Sequence, residues 1–358
     1  MTKITRREFL RALATGVSAV ALEQFIAACS QKQPPPSLPA TQVSPQAATQ
    51  TPSPTEVVME PSESPPAEPT ETMAETSPTE KVESKPADLP DLVVARLGEP
   101  EEMVRQALKA LGGIERFVPQ GANVIIKPNI CVAYHTYEYA ATTNPWVVGA
   151  LVRLCLQAGA RRVQVMDNPF GGSPQEAYAR SGIGEQVQAA GGEMVAMSSF
   201  KFIPTEIPQG VDLRAKEIYD DVLQADVLID VPIAKHHNLA RLTLGMKNLM
   251  GVINARSAMH SNLGQRLADL TSRVYPTLTV VDAVRALMDH GPTGGSLADV
   301  QQMDTVIASH DIVAADSYAA TLFGLRPDDL AYVHAGVQMG LGRSDLENLK
   351  IEEIAVGA

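Results

Sequence analysis

Lys247 stands inside the run Leu244-Gly-Met-Lys-Asn-Leu-Met-Gly-Val-Ile253, which is apolar on nearly every helical face. An ammonium in such surroundings must reach water, pair with an acid or hold an anion, because an unpaired buried charge is costly. A lysine that lies along apolar surface with its head in water is the structural alternative; an apolar run with no polar face favours the functional one. His236 and His237 close a strand-like stretch, and His260 lies further along a loop. Adjacent side chains on a strand point to opposite faces, so the histidine pair does not grip one metal ion, and one of the two faces a cleft. We assign His236 to that cleft and read Lys247, His236 and His260 as the catalytic group. Such a set holds a carboxylate or phosphate, or ligates a transition metal through neutral imidazoles. In the metal version the ligands are His236, His260 and Asp282, while ordinary exposed histidines are the bland alternative.

The acids divide by position. Asp311 precedes Ile312 and reads as a helix N-cap. Asp316 in a small-residue helix, and Asp230 and Asp282 within strands, each need a partner if buried, whether a histidine, a metal or backbone N–H groups.

Around these residues, short β-branched runs alternate with stretches of helical period. Strands are expected over 92–97, 123–128, 162–167, 193–198, 227–234, 278–284 and 305–309. Helices are expected over 100–111, 145–158, 174–181, 244–253, 263–274, 312–323 and 329–339. This alternation predicts an α/β class with a mainly parallel sheet and helices on both faces, since the strands are apolar throughout. In such sheets ligands collect beyond the carboxyl ends of the strands. From those ends we assign Asn129, Thr143, Lys235 and Gly291 to substrate binding, together with Asn248 beside Lys247 in the helical run, although Thr143 and Asn144 before Pro145 also suit a helix cap. The turns 169–173 and 291–296 are glycine-rich but lack the endings of a P-loop or a dinucleotide fold.

The first 29 residues carry Arg6-Arg7-Glu8-Phe9-Leu10, a short apolar run, and Ile26-Ala27-Ala28-Cys29. They resemble a twin-arginine signal ending in a lipobox, with Cys29 as the lipidated anchor. Residues 30–90 are crowded with Pro, Ser, Thr and Glu and bury too little apolar surface to fold, so a disordered tether reaching on the order of 50 Å is expected. One α/β domain remains at 91–358. These features place the protein outside the cytoplasm, attached by lipid to the cell membrane, or to an outer membrane where there is one. The chain has 358 residues, 45% of them hydrophobic, and a formal net charge of -12. That charge argues against nucleic-acid partners, whose phosphates it repels.

Several segments of the domain together resemble the domain of unknown function family 362 (DUF362). They are Lys127-Pro128-Asn129, Thr142-Thr143-Asn144-Pro145, Ala234-Lys235-His236, Lys247-Asn248-Leu249-Met250-Gly251, His260, Val281-Asp282, Gly291-Pro292 and Asp311-Ile312-Val313-Ala314-Ala315-Asp316. The resemblance covers the chain from about residue 91 to its end. Members with ferredoxin-like motifs imply redox company; a membrane partner is expected if the protein captures a ligand and hands it on. Here the three cysteines, Cys29, Cys131 and Cys155, build no iron–sulfur cluster. A Cys131–Cys155 disulfide is not expected, because Cys155 lies about 15 Å along its helix from the loop of Cys131, beyond the ~7 Å Cα limit. The Thr-Pro helix start followed by a lysine and histidine cluster is also similar in pattern to nickel-dependent lactate racemases, without their arginine motif. The leading expectation is an enzyme acting on a small anionic substrate, with redox or isomerase chemistry and a transition metal as candidate cofactor. The alternatives are a tethered protein that binds an anion or metal without catalysis, and a structural envelope module.

Overall fold

The computed structural model describes residues 89–357. The signal 1–29 with Cys29, and all but the last two residues of the tether 30–90, lie outside the described residues. Among the described residues twelve strands form: β1 (Leu92–Arg96), β2 (Asn123–Pro128), β3 (Arg162–Val165), β4 (Glu193–Met194), β5 (Phe202–Glu206), β6 (Ala215–Tyr219), β7 (Val227–Val231), β8 (Ile233–His237), β9 (Arg241–Thr243), β10 (Leu278–Leu287), β11 (Val300–Ser309) and β12 (Ile351–Ala355). The helices are α1 (Pro100–Ala110), α2 (Pro145–Gln157), α3 (Pro174–Arg180), α4 (Ile183–Ala189), α5 (Asp220–Gln224), α6 (Gly245–Asn248), α7 (Leu263–Arg273), α8 (Ile312–Thr321) and α9 (Ala331–Gln338).

The main sheet runs β12-β1-β11-β10-β7-β2-β3-β4, and β8 pairs with β10 and carries β9. Strands β10, β7, β2, β3 and β4 are mutually parallel, and only β11 and β9 run against their neighbours. The expected mainly parallel α/β fold is therefore the observed one. Side-chain alternation sends Leu92 and Val94 into one core and Val93 and Ala95 into the other. Helices α7, α8 and α9 cover the first, through Leu267, Ile312 and Val333, and α1, α2 and α4 cover the second, through Val104, Leu151 and Val187.

Local chemistry fixes the helix starts. The Asn144 side chain accepts the Trp146 N–H at 3.0 Å ahead of Pro145, and Asp311 accepts that of Ala314 at 2.9 Å. The strand expected over 227–234 divides at Pro232, which has no N–H for a ladder. Its first half pairs with β2 and its second with β10 and β9. The helix expected over 244–253 is shorter, with α6 followed by a 3₁₀ turn Leu249–Val252. The antiparallel hairpin of β5 and β6, with its partly polar strands, and the edge strand β12 were not visible as apolar runs. No helix among the described residues is long and apolar enough to cross a membrane.

Candidate functional site

A cavity of about 390 Å³ opens beyond the carboxyl ends of β2, β3 and β8 and is lined as well by α6, the turn after it and the segment carrying Arg256 and His260. Four cations line it, Lys127, Lys235, Lys247 and Arg256, against a single carboxylate, Asp167. In a chain of net charge -12 this is a local reversal of sign.

The floor is a closed polar network. Lys127, 1% exposed, donates to Asp167 Oδ1 at 2.8 Å, Asn248 Oδ1 at 2.9 Å and the Pro128 carbonyl at 2.8 Å, so all three of its protons are used. Asp167 also accepts the N–H groups of Ile130 and Asn168. Asn248 uses its whole amide: its oxygen also accepts from Asn129 Nδ2 at 2.9 Å, and its nitrogen donates to the Lys127 carbonyl and to Asp230 Oδ1 at 2.8 Å. Asn129 in turn accepts from Lys235 Nζ at 3.1 Å. Lys235 donates further to the Ala141 and Pro292 carbonyls, at 2.6 and 2.8 Å, and contacts Cys131 Sγ at 3.3 Å. Burial pulls its ammonium below the ordinary lysine range. Gly251 completes the floor, since a Cβ there would stand 2.0 Å from Asp167 Oδ1 and 2.5 Å from Lys127 Nζ.

The groups left to meet a ligand lie above this floor. Lys247 has no carboxylate partner, and burial, then the charges of Lys235 and Arg256, bring its pKa down to about 8. Arg256 donates to the Asn168 carbonyl at 2.5 Å, and burial lowers its pKa. His237 accepts the Leu239 and Ala240 N–H groups on Nδ1, so its single ring proton sits on Nε2 as a donor. Burial and then the neighbouring cations, Lys247 first, hold its pKa near 3, so it stays neutral at physiological pH. Thr243, 3% exposed on the cavity wall, has a hydroxyl without a hydrogen-bond partner.

The model of the domain of unknown function family DUF362 matches residues 124–321. The chain belongs to the DUF362 family. The match contains every residue lining the cavity. A thylakoid-associated protein of Synechocystis sp. is 26% identical over 253 residues, covering 68% of this chain and 76% of that protein. Among solved structures, the lactate racemase apoprotein of Thermoanaerobacterium thermosaccharolyticum aligns with a TM-score of 0.43 at 12% identity, covering 64% of this chain and 56% of the racemase. A protein of Thermotoga maritima aligns at 0.39 and 11% identity, covering 64% of this chain and 60% of that one.

Within the DUF362 domain, Lys247, His260, Asn129, Lys235 and Asn248 all line the cavity. Asn129, Lys235 and Asn248 do so mainly as its floor. His236 does not line it: its Nδ1 accepts the Gly291 N–H at 3.1 Å and lies 3.9 Å from Asp289. The cleft histidine is His237, which shares a strand face with Lys235 two positions earlier. Thr143 is fully buried, accepting from Asn129 N and donating to the Val231 carbonyl, so it stitches β2 to β7 and offers nothing to a substrate. Gly291 is a packing residue, where a Cβ would fall 1.9 Å from the His236 carbonyl oxygen.

The set His236, His260 and Asp282 does not form a metal centre. Asp282 is fully buried and spends its oxygens on the Asn144 and Val284 N–H groups, at 2.7 and 3.0 Å. Among the described residues no three His, Cys, Asp or Glu side chains converge as ligands. Asp316 likewise receives the Gly245 and Met246 N–H groups and anchors the start of α6. Burial raises both carboxyls to about 7 and holds Asp230 well above its ordinary value. Cys131 and Cys155 are both free and buried. The residues that sequence reasoning missed are Lys127, Asp167, His237, Thr243 and Arg256. For His237 the strand alternation from Lys235 was the available signal.

Proposed function

We propose that the cavity takes a small anionic substrate and that Lys247 moves a proton on it, which makes the domain an enzyme of isomerase or related proton-transfer type. The observation that carries this reading is the convergence of Lys235, Lys247 and Arg256 on one cavity without a carboxylate partner for any of them. Arg256 orients the anion, and the charge of Lys235, whose protons are spent on Asn129, Ala141 and Pro292, adds to the attraction. A pKa near 8 leaves part of Lys247 neutral at working pH, the condition for a general base that later returns its proton as an acid. The Nε2 proton of neutral His237 supplies a hydrogen bond where negative charge develops. The test is proton exchange by NMR: the full chain in D₂O is incubated with α-hydroxy, α-keto and phosphorylated acids. Deuterium incorporated by the wild type and lost in Lys247→Met supports catalysis. Binding of an anion without exchange in any candidate leaves an anion-capturing protein, and no binding removes both readings.

We also propose that the chain works outside the cytoplasm, held to a membrane by lipid on Cys29. The twin-arginine and lipobox pattern supports this, and the thylakoid association named for the Synechocystis relative supports its membrane part. Release of a Cys29→Ala variant from the membrane fraction is the expected outcome; retention of that variant refutes a lipid anchor at this residue.

A further inference from the structure

We propose that the ligand of this cavity is an amphiphile, with an anionic head among the cations and an apolar tail leaving across Phe170 and Leu239. The inference rests on the anion-site reading above and adds the class of molecule. Both residues line the cavity, yet Phe170 is 60% and Leu239 62% exposed. Single exposed apolar side chains are ordinary on a protein surface. Two bordering the same charged cavity are a different matter, because both are held there by the backbone. Phe170 N donates to the Cys131 carbonyl at 2.8 Å, and Ala133 N donates to that of Gly171 at 2.8 Å, so this loop is tied to the end of β2. Leu239 N donates to His237 Nδ1 at 3.1 Å, which fixes the turn between β8 and β9. The same bond that orients the His237 ring toward the ligand therefore presents Leu239 beside it.

The inner wall has the opposite character. Lys235 is 1% exposed, Lys247 and Arg256 lack acidic partners, and the buried Thr243 hydroxyl is unpartnered. A head group with several oxygens satisfies Lys247, Arg256 and the Thr243 hydroxyl, while Lys235, its protons spent on the protein, adds only its charge, and Met250 with the two rim residues lies along a tail. A small hydrophilic anion would satisfy the inner wall and leave the rim bare.

Isothermal titration of the full chain with inorganic phosphate and with butyl, hexyl and octyl phosphate, below their micelle concentrations, tests this, alongside acetate, butyrate, hexanoate and octanoate, with octanol as the uncharged control. The expected result is affinity that tightens by about two- to fourfold per added methylene, the upper figure being full burial. The dependence should flatten in a Phe170→Ser, Leu239→Ser double variant, whose exposed positions leave the fold intact by circular dichroism. Affinity independent of chain length overturns the amphiphile while the anion site stands. Octanol binding as tightly as octyl phosphate overturns the anionic head. If no head group binds at any length, the anion-site reading fails and this inference fails with it.

Discussion

Replacing Lys247 with methionine should make the ligand-free domain more stable while weakening anion binding. The folded environment, mainly by burial, brings the ammonium from 10.5 to about 8. That displacement corresponds to at most about 3 kcal/mol of folding free energy. Water admitted by the cavity reduces it, so a gain of about 1–3 kcal/mol is expected at pH 7. Methionine keeps most of the length of the stem without the charge. The sign with pH follows from proton counting. Below pH 8 folded and unfolded chains both hold the proton, and the penalty is complete. Between about 8 and 10.5 the unfolded chain binds more protons than the folded one, so wild-type stability rises with pH and the advantage of the variant shrinks. Urea denaturation of both proteins at pH 7, 8.5 and 10 measures this directly. A variant less stable than wild type at pH 7, or an advantage that does not decline by pH 10, refutes an uncompensated cation in this cavity.

Three further outcomes follow from the same geometry. Gly251→Ala drives a methyl group into the Lys127–Asp167 pair and should lower stability by roughly 3 kcal/mol or more, read by urea denaturation. Asp316, raised by burial to about 7, holds its proton in the folded state over a window where the unfolded carboxyl has lost it. Its contribution is therefore complete below about pH 4 and is lost as pH rises through 7, and Asp316→Asn should flatten the stability profile across that window. His237→Ala should weaken phosphate or carboxylate binding by about tenfold, one hydrogen bond to a charged group. His236→Ala should change it less than twofold, and equal losses by calorimetry would refute the assignment of faces.

The His236 assignment shows where sequence reasoning turned on a local rule. Lys235 and His237 are two positions apart on β8 and must share a face, so choosing Lys235 for the cavity already selected His237. Thr143 was ambiguous for another reason: a threonine after a strand suits a substrate or a backbone partner equally, and the partner is the Val231 carbonyl 88 positions away. Arg256 and Thr243 carried no local signal, because neither sits in an unusual pattern; what distinguishes them is the cavity they border.

Legible in the chain before folding were the α/β class, most strand and helix positions, the caps at Asn144 and Asp311, and the polar residues at strand ends. These are consequences of apolar periodicity and of hydrogen bonds spanning a few residues, both local quantities. Lys247 stood out as well, since a cation in an apolar run is conspicuous without any partner in view. Packing alone settles which polar residues are spent on one another. Lys127 and Asn248, 121 positions apart, close the floor, and Asn144 and Asp282, 138 apart, remove a carboxylate from chemistry. Whether a buried charge is neutralised or left to meet a ligand depends on groups that only packing brings within hydrogen-bond reach, and here that distinction separates Lys127 from Lys247.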